Sequence, residues 1–189
     1  MKKLFLISSL ALLLGACGDD QEEVQKSVED KEEVEEVAKE EKPKENKELT
    51  YYEAETKIFI DEYVKKFDST WNNIWVIVMD RAEKNDISTQ DAYTQIQKVH
   101  DIYREMSMDD DVPVKQLSKE NKKLAKEVAE NLSYASVNRQ EAAKIAMEVL
   151  ETNSSAKLNE MNEKIQWSDE FVQKAVAAFK ELESNLYTE

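Results

Sequence analysis

"FIDEYVKKFDSTWNNIW", Phe59 to Trp75, sets an aromatic ring at every fourth position: Phe59, Tyr63, Phe67, Trp71 and Trp75. A period near four fits an α-helix, where residues i and i+4 share a face, and not a strand, whose faces alternate with period two. On a straight helix each step of four drifts about 40°, so the ladder sweeps about 160°. One neighbouring helix cannot cover so wide an arc. The stretch therefore predicts a helix at the centre of a bundle, packed against at least two partners, with Ile60, Val64, Phe67, Trp71, Ile74 and Val78 on its buried side. A groove for an apolar or sugar ligand is the alternative use of such a ladder.

Ile74 to Met79 continues the helix with six consecutive apolar residues, which point in every direction around it. Counted at a uniform 100° per residue, Val76 falls opposite the buried side, near Ile58, and Ile77 lies at the flank with Phe59. Ile58, Val76 and Ile77 are thus expected to form a surface for protein contact or self-association, because a contiguous exposed apolar patch marks an interface.

Working outward, Thr50-Tyr51-Tyr52-Glu53 has the form of a capping box. It predicts a first helix from Thr50 to about Lys84, broken at Asn85-Asp86. A second helix capped by Ser88 or Thr89 runs to about Ser107, with Ala92, Ile96, Val99, Tyr103 and Met106 as its apolar stripe. After a loop at Asp109 to Pro113, Ser118 caps a third helix reaching about Thr152. Asn153-Ser154-Ser155 reads as a weak break, after which a shorter helix from Ala156 to Gln166 stands alone or simply continues the third. Ser168 then caps a last helix ending near Leu186, with Asp169 and Glu170 at its positive end and Trp167 and Val172 as a hydrophobic staple. The expected fold is all-α: an elongated antiparallel bundle of three to four long helices.

Composition agrees. Beyond Gly15 and Gly18 the chain has no glycine, and its prolines are Pro43 and Pro113. So few breakers in a Glu-, Lys-, Ala- and Leu-rich chain favour long helices. The 26 basic and 41 acidic residues argue against nucleic acid, whose binding depends on neutralising phosphates. The same net charge repels anionic lipid headgroups.

The chain opens with Lys2 and Lys3, then Leu4 to Leu14 without a charge, then Gly15, Ala16 and Cys17. A positive start, a short apolar run and a small-residue site form an export signal, too short to span a bilayer. Leu14-Gly15-Ala16-Cys17 closely resembles the lipobox of bacterial lipoproteins. The resemblance implies cleavage after Ala16 and a diacylglycerol thioether on Cys17, the chain's one cysteine. It also implies anchoring at the outer face of the cell membrane, with no other cofactor. Two acyl chains suffice for stable anchoring. The low glycine content and acidic Glu/Lys style look like lipoproteins of Gram-positive bacteria. Gly18 to Glu48 holds 14 acids, 6 lysines and no aromatic residue; it is expected to be a disordered tether, since it cannot bury enough surface to offset its ordering entropy. The expected organisation is a leader over residues 1–16, lipidated cysteine and tether over 17–49, and the bundle over 50–189.

Catalytic patterns are missing. His100 is the one histidine. Gln97 stands three before it and Tyr103 three after, where H-x-x-E would need an acid, so no metal site is expected. Asp109 to Asp111 lack the spacing and glycine of an EF-hand. Neither G-x-S-x-G nor a phosphate-binding glycine loop occurs. Asn131-Leu132-Ser133 and Asn153-Ser154-Ser155 match glycosylation sequons that a bacterial lipoprotein would not use. The expected function is non-enzymatic: a surface lipoprotein whose bundle binds another protein or a cell-wall component. The alternatives are an envelope enzyme working with carboxylates, and a leader trimmed to a short signalling peptide.

Overall fold

The structure, a computed structural model, describes residues 46–188. Cys17, Ala16 and nearly all of the expected tether lie outside the described residues. Within them the chain is all helix, turn and loop, forming four helices, α1 to α4.

The first, α1 (residues 47–83), is a continuous rod of unequal winding. α-Helical stretches Lys47–Tyr51, Lys57–Thr70 and Val76–Glu83 are joined through two π turns, Tyr52–Thr56 and Trp71–Trp75. Its cap is not the expected Thr50. Asn46 accepts from the N–H groups of Glu48 and Leu49, both at 3.2 Å, and Thr50 lies inside the first turn with its hydroxyl donating to Asn46 O. Asn46 outranks Thr50 because it stands one residue outside the helix with its side-chain oxygen free for the orphan donors.

Then come α2 (Thr89–Met106), α3 (Lys119–Thr152) and α4 (Ser155–Tyr187). Ser88 caps α2 by accepting from Asp91 N, and Ser118 caps α3 by accepting from Asn121 N, both as expected. The C-terminal half departs from expectation. Asn153 adopts the left-handed conformation, φ 53°, and its N–H returns to Val149 O at 2.8 Å. This is a full helix stop of the kind Asn tolerates. Ser154 caps α4 at once. Residues 156–166 therefore begin α4 and do not extend α3. Ser168 is no cap: it is fully buried in mid-helix, its hydroxyl donating to Ala135 O across the interface at 3.0 Å. Trp167 is 46% exposed and staples nothing at a helix start.

The helices run up, down, up, down. Tyr103 meets Phe67 between α2 and α1, Ser133 meets Ser107 between α3 and α2, and Asn185 meets Asn121 between α4 and α3. The closest backbone packing is α3 on α4, followed by α2 on α3. The physical reason is size. Ala125, Ala129, Ala135, Ala142, Ala143, Ala146, Ala175 and Ala178 are all buried, and interaxial distance follows the side chains at the contact. The spine of the bundle is thus α3, whereas α1, held off by its rings, fills the trough beside it. A smaller cluster of Tyr52, Leu117, Leu124, Ala125, Leu182 and Leu186 closes the end at which α1 begins.

Candidate functional site

The aromatic ladder is core, and the second π turn explains how it fits. A π turn takes an additional residue to come round, so it cancels the drift that a uniform α-helix would accumulate. Trp71 and Trp75 stack with ring centroids 4.9 Å apart and planes 14° from parallel. Burial jumps by five residues across the turn, from Thr70 to Trp75, and then resumes at Val78. The same rotation overturns part of the expected surface. Val76 is half-buried and packs against the core, because the turn before it swings it inward. Val64, expected inside, is 38% exposed. Ile58 and Ile77 are exposed as expected, at 50% and 49%, but they sit about 28 Å apart along the rod at about 1.5 Å per residue. They form no single patch. Ile77 borders a groove of about 370 Å³ between α1 and α2, shared with Ile74, Val78, Arg81 and Ile87.

Behind Trp71 lies the most unusual group in the bundle. Arg139 of α3 is 5% exposed. Its guanidinium carbon stands 3.4 Å from the Trp71 ring centroid, Nε donates to Ser168 Oγ at 3.1 Å, and Nη2 donates to Asp169 Oδ1 at 2.6 Å. Its Nη1 has no hydrogen-bond partner. Burial pushes the guanidinium's pKa down and Asp169 works against that shift; an arginine stays charged under either influence. Nearby, Tyr63 Oη donates to Met106 O at 2.9 Å and lies 2.9 Å from Ser136 Oγ, and burial lifts the phenol to about 12. Tyr103 donates to Phe67 O at 2.9 Å. These bonds tie α1, α2, α3 and α4 together.

His100 stands at the edge of the core, its Nδ1 3.0 Å from Asp101 and its Nε2 3.2 Å from the Gln140 amide nitrogen. Among the described residues no three His, Cys, Asp or Glu side chains gather to hold a metal. No described helix is long and apolar enough to cross a membrane.

The outer face of α3 and α4 carries a surface the sequence reading missed. Tyr134 and Phe171 meet across the seam with ring centroids 5.3 Å apart. Trp167 lies one helical turn before Phe171, and Val137 one turn after Tyr134, so the four share a continuous strip. Tyr134 is 54% exposed and Val137 39%. Lysines stand over two of the rings: Lys164 is 4.9 Å from the Trp167 centroid and Lys174 is 4.7 Å from that of Phe171. Periodicity could have found Trp167 and Phe171 as an (i, i+4) pair, but pairing them with Tyr134 requires knowing that α3 and α4 are antiparallel neighbours in this register.

No family model, no curated protein and no solved structure matches the chain.

Proposed function

We propose that this chain is a lipoprotein, anchored by a diacylglycerol on Cys17 at the outer face of a bacterial cell membrane, whose helical bundle binds another protein without catalysing a reaction. The observation that carries the binding half is the strip of Tyr134, Val137, Trp167 and Phe171. Tyr and Trp dominate binding hot spots, where a large rigid ring is desolvated at low entropic cost. Two of these rings are exposed at about half their surface, and the two lysines give the strip a polar rim. The anchoring half is supported by the Lys2-Lys3 start, the uncharged run to Leu14 and Leu14-Gly15-Ala16-Cys17.

Two measurements test the reading. Mass spectrometry of the protein purified from its own membranes should give an N-terminal peptide beginning at Cys17 and carrying two or three acyl chains. A free thiol, or an intact leader, rejects the anchor. A photo-crosslinking residue placed at Tyr134 or Trp167 on intact cells should give a discrete adduct with one protein, whereas the same group at exposed Lys144 should not. Equal yields from the three positions reject the strip as a binding surface.

A further inference from the structure

In a chain where acids outnumber bases 41 to 26, one surface runs the other way. Lys119, Lys122, Lys123 and Lys126 follow one another at i, i+3, i+4 and i+7 on α3, the spacing that places residues on one helical face. Lys115 stands just before them. Glu120 and Glu127 border that face, each within one turn of Lys123, and Glu130, one turn past Lys126, is the first acid to fall on it. Lys119, Lys123, Lys126 and Lys115 are exposed and Lys122 partly so. None of the five forms an ion pair among the described residues, where Lys57, Lys66, Lys84 and Lys157 all do.

The stripe also has a definite place. It begins α3, at the end of the bundle where α1 starts. There Glu48 Oε1 accepts from Ser118 N at 2.6 Å and from the Asn121 amide at 2.8 Å. Asn46, the residue through which anything attached at Cys17 reaches the bundle, is two positions before Glu48. We propose that Lys119, Lys122, Lys123 and Lys126, with Lys115 beside them, form a docking surface for anionic phospholipid headgroups, laying this end of the bundle against the bilayer. The proposal rests on the anchored reading and adds an orientation to it.

Net charge argues against membrane contact, but net charge is not what a surface feels at close range. Fields are screened over about 8 Å at physiological ionic strength. A headgroup touching the stripe therefore feels its lysines, offset in part by the bordering Glu120, Glu127 and Glu130, and little of the carboxylates on the far faces. Clusters of about four to eight basic residues are the usual determinants of attraction to anionic lipid, and a covalent anchor removes the translational cost that a free protein would bear.

The test uses the full chain in vesicles of phosphatidylcholine alone and in vesicles holding about 30% phosphatidylglycerol. Acetylation of each lysine is followed by mass spectrometry. In the anionic vesicles Lys119, Lys122, Lys123 and Lys126 should label about threefold or more slowly than in neutral ones, and about 0.5 M salt should abolish the difference. Lys144 and Lys174 should label alike in both. Equal labelling of the stripe in the two vesicles overturns the proposal. Protection by soluble polyphosphate but not by anionic vesicles also overturns it, and points to a wall polyanion. Retention on neutral vesicles reports the N-terminal anchor independently of the stripe. A chain that fails there rejects the anchored reading, and the stripe is then judged by co-sedimentation with anionic vesicles, whose absence rejects it too.

Discussion

Arg139 puts a charge where the bundle would be expected to keep only apolar groups. Its stem and guanidinium plane fill the space against Trp71, while one amino group goes without a partner. Packing and charge thus pull in opposite directions, and two substitutions separate them. Arg139→Met keeps the volume and removes the desolvated charge; since well-packed apolar replacements of buried ions are commonly neutral or stabilising, the variant should unfold in urea within about 1 kcal/mol of the parent or above it. Arg139→Ala leaves a cavity beside Trp71 and should lose about 2–4 kcal/mol. If Met proves as damaging as Ala, the hydrogen bonds to Ser168 and Asp169 outweigh the packing.

A second residue-scale prediction concerns pH. Partial burial raises the Glu48 carboxyl, but the bonds from the Ser118 backbone, the Asn121 amide and the Ser118 side chain outweigh it, so its pKa sits below the ordinary 4.5. A depressed acid contributes stability above its unfolded pKa and loses it as pH falls through the folded one. The tie between the start of α1 and the start of α3 should therefore hold at neutral pH and weaken progressively below 4.5. Hydrogen exchange of the Lys47–Tyr51 amides, followed against pH, should show protection falling in that window once intrinsic exchange rates are divided out. Glu48→Gln should flatten the response. An unchanged profile in that variant would reject the assignment.

At the scale of the element, α1 depends on having one residue more than a regular helix needs. The π turn at Trp71–Trp75 holds Trp75 and Val78 in the core after the drift of the preceding turns. Deleting exposed Asn72 should let the segment rewind as α-helix. Because the deletion removes both the additional residue and the wide turn that absorbs it, everything beyond keeps its phase, and Trp75 and Val78 stay in the core. Inserting an alanine after Asn72 should instead turn everything beyond by about 100°; with each buried side chain worth about 1.5–3 kcal/mol, the insertion should cost about 3–6 kcal/mol and the deletion about 1 kcal/mol or less. An insertion tolerated as well as the deletion would show that the phase set by the turn does not hold Trp75 and Val78 in the core. The first π turn serves the loop before α3: Thr56, within it, donates to Pro113 O at 2.6 Å, and Tyr51 Oη, just ahead of it, accepts from Lys115 N at 3.1 Å.

At the scale of the molecule, the exposed strip and the core should respond independently. Tyr134→Ala and Trp167→Ala remove half-exposed rings whose contacts are largely with each other's neighbours and with lysine, so each should leave the unfolding midpoint nearly unchanged, within about 0.5–1 kcal/mol of stability. The same variants should abolish the crosslinked adduct on cells. Loss of folding together with loss of binding would make the strip a structural seam. The division follows from the architecture: Tyr134 and Trp167 are half-exposed, and of the strip's rings Phe171 is the one that packs against the core.

The sequence by itself determined the all-α class, the extent of α2, the start of α3, and the burial of Tyr63, Phe67 and Trp75, because 3.6-residue periodicity and side-chain caps are local and act over a turn or two. It misjudged Thr50, Ser168 and Asn153. In each case the same residue types can cap, stop or bridge a helix, and the choice depends on what lies across the interface: Ser168 became an interhelical donor because the Ala135 carbonyl stands opposite it. Only the tertiary structure decided that two π turns reset the phase of α1, carrying Val76 inward and leaving Val64 out. Only it joined Tyr134 to Phe171 and brought the α3 lysines to the end where α1 begins. A repeating pattern fixes which face of a helix is apolar, but a shift of one residue in winding, or the register between two helices, is settled by contacts between residues far apart in the chain.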